Sequence, residues 1–468
     1  MKATQHCTSP LAQRFSAAGL LRFAAPSIGM MLVISLYSVT DGIFIGRYAG
    51  ASALAASNIV YPAINLLFGL AIMLASGGSA LVAKTLGEGH DLLARQRFTW
   101  ITAATFLIGA AFALFLWVFF DTILAFLGAS PEMLPDCRAY LGVLLPFFPI
   151  AAVSILFDTF CIADGRAGLG FLVAVASGVT NAALDYLFLA HMDLGILGAG
   201  LATGLADLLA AALGFVFFWR FSRTLRFTRF VPELRVLMQA ATNGMSEMVT
   251  QCSVGITTFL FNLITFAWAG EDGVAAICVI LYAEMLLTSF LVGFSNGVAP
   301  VFSYHYGAKH DGELLHLMKC ALTILAVAGV GAYATAQVLA APLVTLFLPQ
   351  GGNVAALTET GFRLFSLSFL LCGFNIFTSG FFTALSDGRT SALCSLTRNL
   401  AGIVIFLLVL PKFLGLTGVW LAVPAADLTA VLFSSFCLFG AAKSMVFRCQ
   451  RKFPRVFRRY REAYDNVN

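Results

Sequence analysis

Residues 76–91 read SGGSALVAKTLGEGHD, and residues 296–311 read NGVAPVFSYHYGAKHD. The two stretches share two glycines ten residues apart and a following His-Asp pair, all at an offset of 220 residues. Each stretch closes a long apolar segment with a short polar break. A chain of 468 residues that repeats itself in this way is predicted to consist of two similar halves.

Two further matches follow in the same order along the chain. The tripeptide Asp-Gly-Arg at 164–166 recurs at 387–389, at an offset of 223. Six residues recur at the offset of 220, where Gly195, Gly198, Leu201, Ala202, Ala206 and Asp207 match Gly415, Gly418, Leu421, Ala422, Ala426 and Asp427. A single match carries little weight, but three in the same order indicate an internal duplication.

The composition is that of a membrane protein. Sixty per cent of the residues are hydrophobic and 11 % are charged, against about 25 % charged in a typical soluble domain. A helix needs about 20 apolar residues to cross the hydrocarbon core. On this basis we predict an all-α membrane protein with about twelve spans, near 20–45, 55–83, 100–120, 140–162, 169–190, 196–219, 237–267, 275–303, 316–348, 359–384, 391–411 and 416–441.

The basic residues predict the orientation. All but four of the 28 Lys and Arg residues fall in the termini and in loops on one side, the exceptions being Arg47, Arg138, Arg363 and Lys412. Because Lys and Arg concentrate on the cytoplasmic side, both termini are predicted to be cytoplasmic and Cys137 to lie outside. The predicted organisation is a cytoplasmic segment (1–19), an N-lobe (20–219), a solvated basic linker (220–236), a C-lobe (237–441) and a basic tail (442–468).

Six spans per half is an even number, so both halves enter the membrane in the same direction. They are therefore predicted to be parallel repeats about an axis along the membrane normal. Two such bundles leave a cleft between them, and rocking the bundles would expose the cleft to each side in turn. This arrangement favours a transporter over a receptor or an enzyme.

Acidic residues lie inside the predicted spans almost without basic partners. An ionisable side chain there costs roughly 2.5–3.5 kcal/mol on insertion scales, so it needs a proton, a metal cation or a cationic ligand. Three bases, Lys319, Arg363 and Arg398, are placed near span ends, where long side chains reach the interface. The seven acids are Asp41, Asp158, Asp185, Asp207, Glu247, Glu284 and Asp427.

Two polar residues of span five share one helix face, because Asn181 and Asp185 are four residues apart. A carboxylate beside an amide oxygen can bind Na⁺ or hold a proton; the structural alternative is an interhelical hydrogen bond. At the repeat offset these positions fall on Ala401 and Ile405, which suits a function confined to one half. Asp41, toward the outer end of span one, is a separate candidate from the sequence, and its alternative is an Asp at the membrane boundary.

The remaining acids are weaker candidates for binding cargo or a cation. Asp207 and Asp427 are equivalent in the repeat, which favours a matched structural pair, each bonded to a neighbouring helix. Glu247 has no acidic counterpart in the first half. Glu284 and Asp158 complete the set of candidates.

Four stretches carry a family resemblance: VTDG at 39–42, TNAALDYLF at 180–188, GILGAGLAT at 195–203 and PVFSYHYGA at 300–308. They resemble the multidrug and toxic compound extrusion (MATE) family. The resemblance implies a twelve-helix, two-lobe antiporter driven by Na⁺ or H⁺, with Asp41, Asn181 and Asp185 as the coupling site. It also implies a second, C-lobe cation site in some members, for which Glu247 matches one acid while Asn375 replaces the other.

The sequence leaves three possible functions to compare. The leading interpretation is an exporter of small organic cations, exchanged for H⁺ or Na⁺. A lipid-linked saccharide flippase of the same superfamily is the alternative, although a pyrophosphate carrier should have a basic cleft. A membrane-embedded enzyme acting on lipid is disfavoured, since the sequence has no HExxH motif, Walker loop or other catalytic set. No cofactor is expected, and we expect a monomer in contact with membrane lipids.

Overall fold

The computed structural model describes residues 10–127, 133–347 and 352–452, and within them every regular element is helical. The polar breaks that close the two repeated stretches fall between helices. Their bounds are α1 Ala17–Phe44, α2 Gly50–Gly87, α3 Asp91–Val118, α4 Phe120–Phe126, α5 Leu134–Leu144, α6 Phe148–Ala163, α7 Ala167–Asp185, α8 Gly195–Val216, α9 Leu234–Asn243, α10 Met245–Gly307, α11 Asp311–Phe347, α12 Asn353–Phe365, α13 Phe369–Ala384, α14 Gly388–Ser395, α15 Ile403–Leu414 and α16 Leu416–Lys452.

The described residues contain eleven helical stretches that are long and apolar enough to cross a membrane. One of them, α10, has 63 residues. At 1.5 Å per residue it would be about 95 Å long, roughly three times the hydrocarbon thickness. Gly270, with φ 60° and ψ −146°, breaks α10 into two helices. The prediction of twelve spans is therefore confirmed.

The start of span seven was predicted wrongly. Residues 237–243 do not continue into the span but belong to the separate helix α9, and the span itself begins at Met245. The break falls at Gly244, which packs against the backbone of α2 so closely that a Cβ atom would overlap the carbonyl oxygen of Met73. Hydropathy cannot detect this break, because the residues on both sides of it are partly apolar.

Residues 220–236 do not form a fully solvated linker. Their arginines are exposed, but Leu225 is buried and Phe227 stacks on Phe98 of α3 with ring centroids 5.2 Å apart. The carboxylate of Asp164 accepts hydrogen bonds from the Ser222 hydroxyl (2.8 Å) and from the Leu225 backbone N–H (2.9 Å). Burial raises the pKa of Asp164 to about 6, and these hydrogen bonds offset only part of that effect. The first part of the linker is thus anchored to the N-lobe.

The helices form two lobes that meet along α1, α2 and α10. In the N-lobe α1 packs on α7 and α2 on α6, while in the C-lobe α10 packs on α13 and α15 on α16. Both α1 and α2 cross α10 between the lobes. At one crossing Ser35 and Ser289 share a hydrogen bond of 2.6 Å.

A second crossing joins two glycines that are equivalent in the repeat. A Cβ atom on Gly87 would overlap the carbonyl oxygen of Tyr304, and one on Gly307 would overlap the carbonyl oxygen of Lys84. Backbone therefore contacts backbone where the ends of α2 and α10 meet. The lobes can approach this closely only because both positions lack a side chain.

The prediction for Cys137 is also corrected. It lies in the first turn of α5 within a membrane-spanning stretch, it is 0 % exposed, and its Sγ is 3.9 Å from the carbonyl oxygen of Ala56. An apolar helix interior covers a small thiol readily, so this residue cannot report on topology. Cys7 lies outside the described residues.

Introduced cysteines can test the orientation, which stays a prediction. We expect an impermeant thiol reagent added to intact cells to label Met192→Cys, because residue 192 is exposed in a break predicted to lie outside. His90 is exposed at the opposite end of the N-lobe, which is predicted to be cytoplasmic, so His90→Cys should be labelled only after permeabilisation. The unsubstituted protein gives the background, and the reverse pattern would overturn the orientation.

Candidate functional site

The structure brings together the three residues predicted as the N-lobe site. Asp41 lies in the last turn of α1, and Asn181 and Asp185 lie in the last two turns of α7, which packs against α1. A π-helical segment follows each helix directly, Ile45–Ala49 after α1 and Tyr186–His191 after α7. Such wide turns often occur at functional sites, and the described residues contain two more of them away from this site, Phe217–Phe221 and Leu396–Gly402.

The oxygen atoms of this site lack donors. Asn181 is 1 % exposed and Asp185 is 0 % exposed. The Asn181 amide donates to the Thr203 hydroxyl at 3.5 Å, which leaves its carbonyl oxygen free. That oxygen, both carboxylate oxygens of Asp185 and Oδ1 of Asp41 are buried without a hydrogen-bond partner. Four unpartnered acceptors require a proton or a cation, because burying them bare is costly.

The two carboxyl groups are close neighbours. They interact electrostatically and lie within hydrogen-bonding reach of one another. Two ionised carboxylates have no hydrogen to share, so one proton or one bound cation would relieve both repulsion and desolvation. Hard oxygen ligands of this kind suit Na⁺ as well as H⁺.

Three residues of this site were missed in the sequence. Tyr37 and Tyr140 interact electrostatically with both carboxyl groups, and the Thr203 hydroxyl accepts a hydrogen bond from the Asn181 amide. Tyr37 precedes Asp41 by four residues and therefore lies on the same helix face, a spacing that was available as a signal. No comparable pattern points to Tyr140, which comes from α5.

A second pair of acids lies in the same lobe. Asp158 of α6 interacts electrostatically with Asp207 of α8, and Asp207 also interacts with Tyr37. Among the described residues no basic side chain interacts with these two acids or with the Asp41–Asp185 pair. The N-lobe interior is therefore acidic and without counter-charge, as the sequence predicted.

The C-lobe differs from the N-lobe because a basic side chain lies in its interior. The prediction that the Arg398 side chain reaches the membrane interface was wrong. This side chain is only 15 % exposed and its Nε donates to Asp427 Oδ1 at 2.6 Å. Asn375 donates to the same Asp427 oxygen at 3.1 Å. Hydropathy places a charge along the membrane normal but does not say which way the side chain turns. Asp207 and Asp427 thus occupy equivalent positions in unlike surroundings.

The two glutamates are placed apart from the N-lobe site. Glu284 is partly exposed and interacts electrostatically with Arg398 and Asp427. Glu247 lies in the first turn of α10, where an acid suits the helix dipole, and no charged group in the described ranges interacts with it. The structure therefore associates Glu284, but not Glu247, with the Arg398–Asp427 pair.

Two lobes of six membrane spans each, with uncompensated acids inside the N-lobe, define a multi-pass membrane transporter. The comparisons with known proteins specify which one. The MatE family model matches residues 26–187 and again residues 248–408, once in each half. The chain belongs to the MatE family, and the duplication seen in the sequence is the family's own repeat.

Relatives and solved structures agree with this assignment. The multidrug export proteins MepA of Staphylococcus saprophyticus and Staphylococcus aureus are each 22 % identical to the chain, over 88 % of its length and 91 % of theirs. An outward-facing multidrug resistance MATE family transporter matches 94 % of this chain and 99 % of its own, at 21 % identity and a TM-score of 0.88. A crystal structure of MATE in the straight conformation also matches 94 % of this chain and 99 % of its own, at 22 % identity and a TM-score of 0.87. These structures show the two-lobe fold, and the protein is a transporter rather than an enzyme.

Proposed function

We propose that this protein exports small organic cations across the cell membrane in exchange for inward-moving H⁺ or Na⁺. The observation that carries the proposal is the set of four buried, unpartnered oxygen atoms on Asp41, Asn181 and Asp185. A site composed only of acceptors can be occupied by a cation and released again. A purely structural cluster would be expected to satisfy its acceptors from neighbouring donors.

The coupling follows from competition for charge. An ion entering from outside neutralises Asp41 and Asp185, which weakens the attraction of the N-lobe for a bound cation. Asp158 and Asp207 extend the same negative field through the lobe. Ion and cargo then stabilise different arrangements of the two lobes, and this difference drives the exchange. Thr203 and Tyr140 position the site from α8 and α5.

The cargo class rests on charge. The N-lobe acids carry no counter-charge among the described residues, so a cleft beside them concentrates cations and repels carboxylates and phosphates. The relatives are named as multidrug export proteins, which supports a range of drug-like cargo rather than one metabolite. Both termini are proposed to be cytoplasmic and the protein to act as a monomer.

Growth inhibition tests the cargo class. Cells that lack the protein should become more sensitive to lipophilic cations such as ethidium, and their sensitivity to anionic detergents should not change. A parallel measurement uses the purified protein, to which ethidium should bind more weakly as pH falls, because protonation removes the attracting charge. If loss of the protein raises sensitivity to cationic and anionic compounds equally, the proposal is contradicted. Tight binding of a lipid pyrophosphate instead would favour the flippase.

A further inference from the structure

The Arg398–Asp427 pair forms the centre of a hydrogen-bonded group inside the C-lobe. Besides the 2.6 Å contact to Asp427, Arg398 donates through Nη1 to Asn399 Oδ1 at 3.1 Å. Asn399 in turn donates to the Thr250 hydroxyl at 2.9 Å. Asp427 is 1 % exposed. Arg398 is thus fixed at the acid by neighbours on several helices and is not a mobile surface side chain.

The surroundings of Asp427 continue this pattern. Asn375 donates to both the side-chain Oδ1 (3.1 Å) and the backbone carbonyl (3.0 Å) of Asp427, and Ser434 donates to Asn375 Oδ1 at 3.1 Å. The other ionisable groups that face the pair are Glu284 of α10 and Cys372 of α13. The groups that contact Oδ1 of Asp427 thus support one arrangement, in which the guanidinium neutralises the acid, while its Oδ2 is buried without a hydrogen-bond partner.

The N-lobe has no equivalent of this cation. Between the repeat matches at 387–389 and at Gly415 the offset changes from 223 to 220, so Arg398 corresponds to a position between Val175 and Gly178. None of those residues is charged. Asp207, the partner of Asp427 in the repeat, interacts with no base in the part of the chain that the structure describes. The same acid position is therefore bare in one lobe and neutralised in the other.

We propose that Arg398 is a resident counter-cation, which holds the place of an exchangeable ion beside Asp427 and so confines ion coupling to the N-lobe. A fixed guanidinium cannot leave the protein, unlike H⁺ or Na⁺, and arginine stays charged at every working pH. The C-lobe then undergoes the conformational cycle without gaining or losing an ion at Asp427. This inference rests on the proposed ion coupling at Asp41 and Asp185 and adds the specificity-determining residue of the other lobe.

The test measures how the melting temperature of the purified protein depends on ions. Melting is followed at pH 8 and pH 6, and with Na⁺ replaced by choline, because a ligand that binds the folded state raises the melting temperature. The background variant is Asp41→Asn/Asp185→Asn, which removes the N-lobe response. Adding Arg398→Met should create a new response to pH or Na⁺ of about 2–4 °C, since bare Asp427 must then acquire a proton or ion. Adding Asp427→Asn as well should remove that response.

A second comparison does not depend on a variant with an unpaired buried charge. Arg398→Met/Asp427→Asn in the otherwise native chain removes both charges together and keeps an acceptor for Asn375, so it should fold. Its response to pH and Na⁺ should equal that of the native protein. A weaker response would show that Asp427 exchanges an ion in spite of Arg398 and would overturn the proposal.

The two proposals fail in different ways. If Asp41→Asn/Asp185→Asn melts with the native response to pH and Na⁺, the N-lobe coupling site is wrong, whatever Arg398 does. If that background loses its response but Arg398→Met creates none, the resident-cation proposal alone is wrong. Arg398→Lys retains the charge and should create no response, which controls for altered packing around the residue.

Discussion

Replacing Asp185 with asparagine is expected to abolish coupled export and to leave the protein folded and inserted. Asparagine keeps the shape of the side chain and removes the charge, so the site can no longer alternate between an ion and a cationic cargo. Because Asp185 is fully buried and no donor is bonded to either carboxylate oxygen, the substitution mainly removes the electrostatic repulsion between Asp185 and Asp41. Dye efflux from energised cells should fall to the level of cells without the transporter, and Asp41→Asn should behave in the same way.

Matched variants separate function from folding. Asn181→Ala removes one neutral ligand and should lower the efflux rate by a factor of about 3–10, which corresponds to the loss of about one hydrogen bond. Asp193→Asn changes an exposed acid in the break after α7 and should leave the rate unchanged. If Asp185→Asn exports normally, the site assignment is wrong. If it fails to accumulate in the membrane, Asp185 has a structural role instead.

A side chain at Gly87 or Gly307, where the ends of α2 and α10 meet, should stop transport as completely as Asp185→Asn does. In Gly307→Val the new Cβ would overlap the Lys84 carbonyl oxygen of α2, so the ends of α2 and α10 could not meet as they do here. A backbone contact cannot move aside like a flexible side chain, and overpacking of this kind costs at least about 1–3 kcal/mol. We expect efflux to be lost because the lobes can no longer close at this end, and Gly87→Val should have the same effect.

The control is a helical glycine without a neighbour. A Cβ at Gly331 of α11 meets nothing within 4 Å, so Gly331→Val should retain near-native efflux. Membrane content of all three variants is measured by immunoblot of washed membranes. Normal efflux by Gly307→Val would show that the close crossing of α2 and α10 is not required in the transport cycle.

Much of the fold could be predicted because the repeat is visible in residues that the packing demands. Gly87 and Gly307 match across the repeat because each contacts the other helix at its backbone. Asp41, Asn181 and Asp185 were identified because uncompensated polar residues are rare in lipid. Their mutual approach depends on the packing of α1 against α7, which no local pattern encodes.

The errors have a common physical origin. Hydropathy reports depth in the membrane, but it does not report the direction in which a side chain points. It therefore placed Arg398 at a boundary and Cys137 outside, although both lie within packed helices. The π-helical segments after Phe44 and Asp185 were not predicted from the sequence. The geometry of the site depends on the packing of α1 against α7, so it could not be derived from spacing alone.

The most direct test of the central claim is transport of a fluorescent lipophilic cation in proteoliposomes with pH and Na⁺ gradients imposed separately. We predict that one of the two gradients accelerates the movement of ethidium in the opposite direction, and that Asp185→Asn removes this acceleration while passive leakage is unchanged. Ethidium transport that is indifferent to both gradients, or that Asp185→Asn leaves equally responsive, would contradict the account.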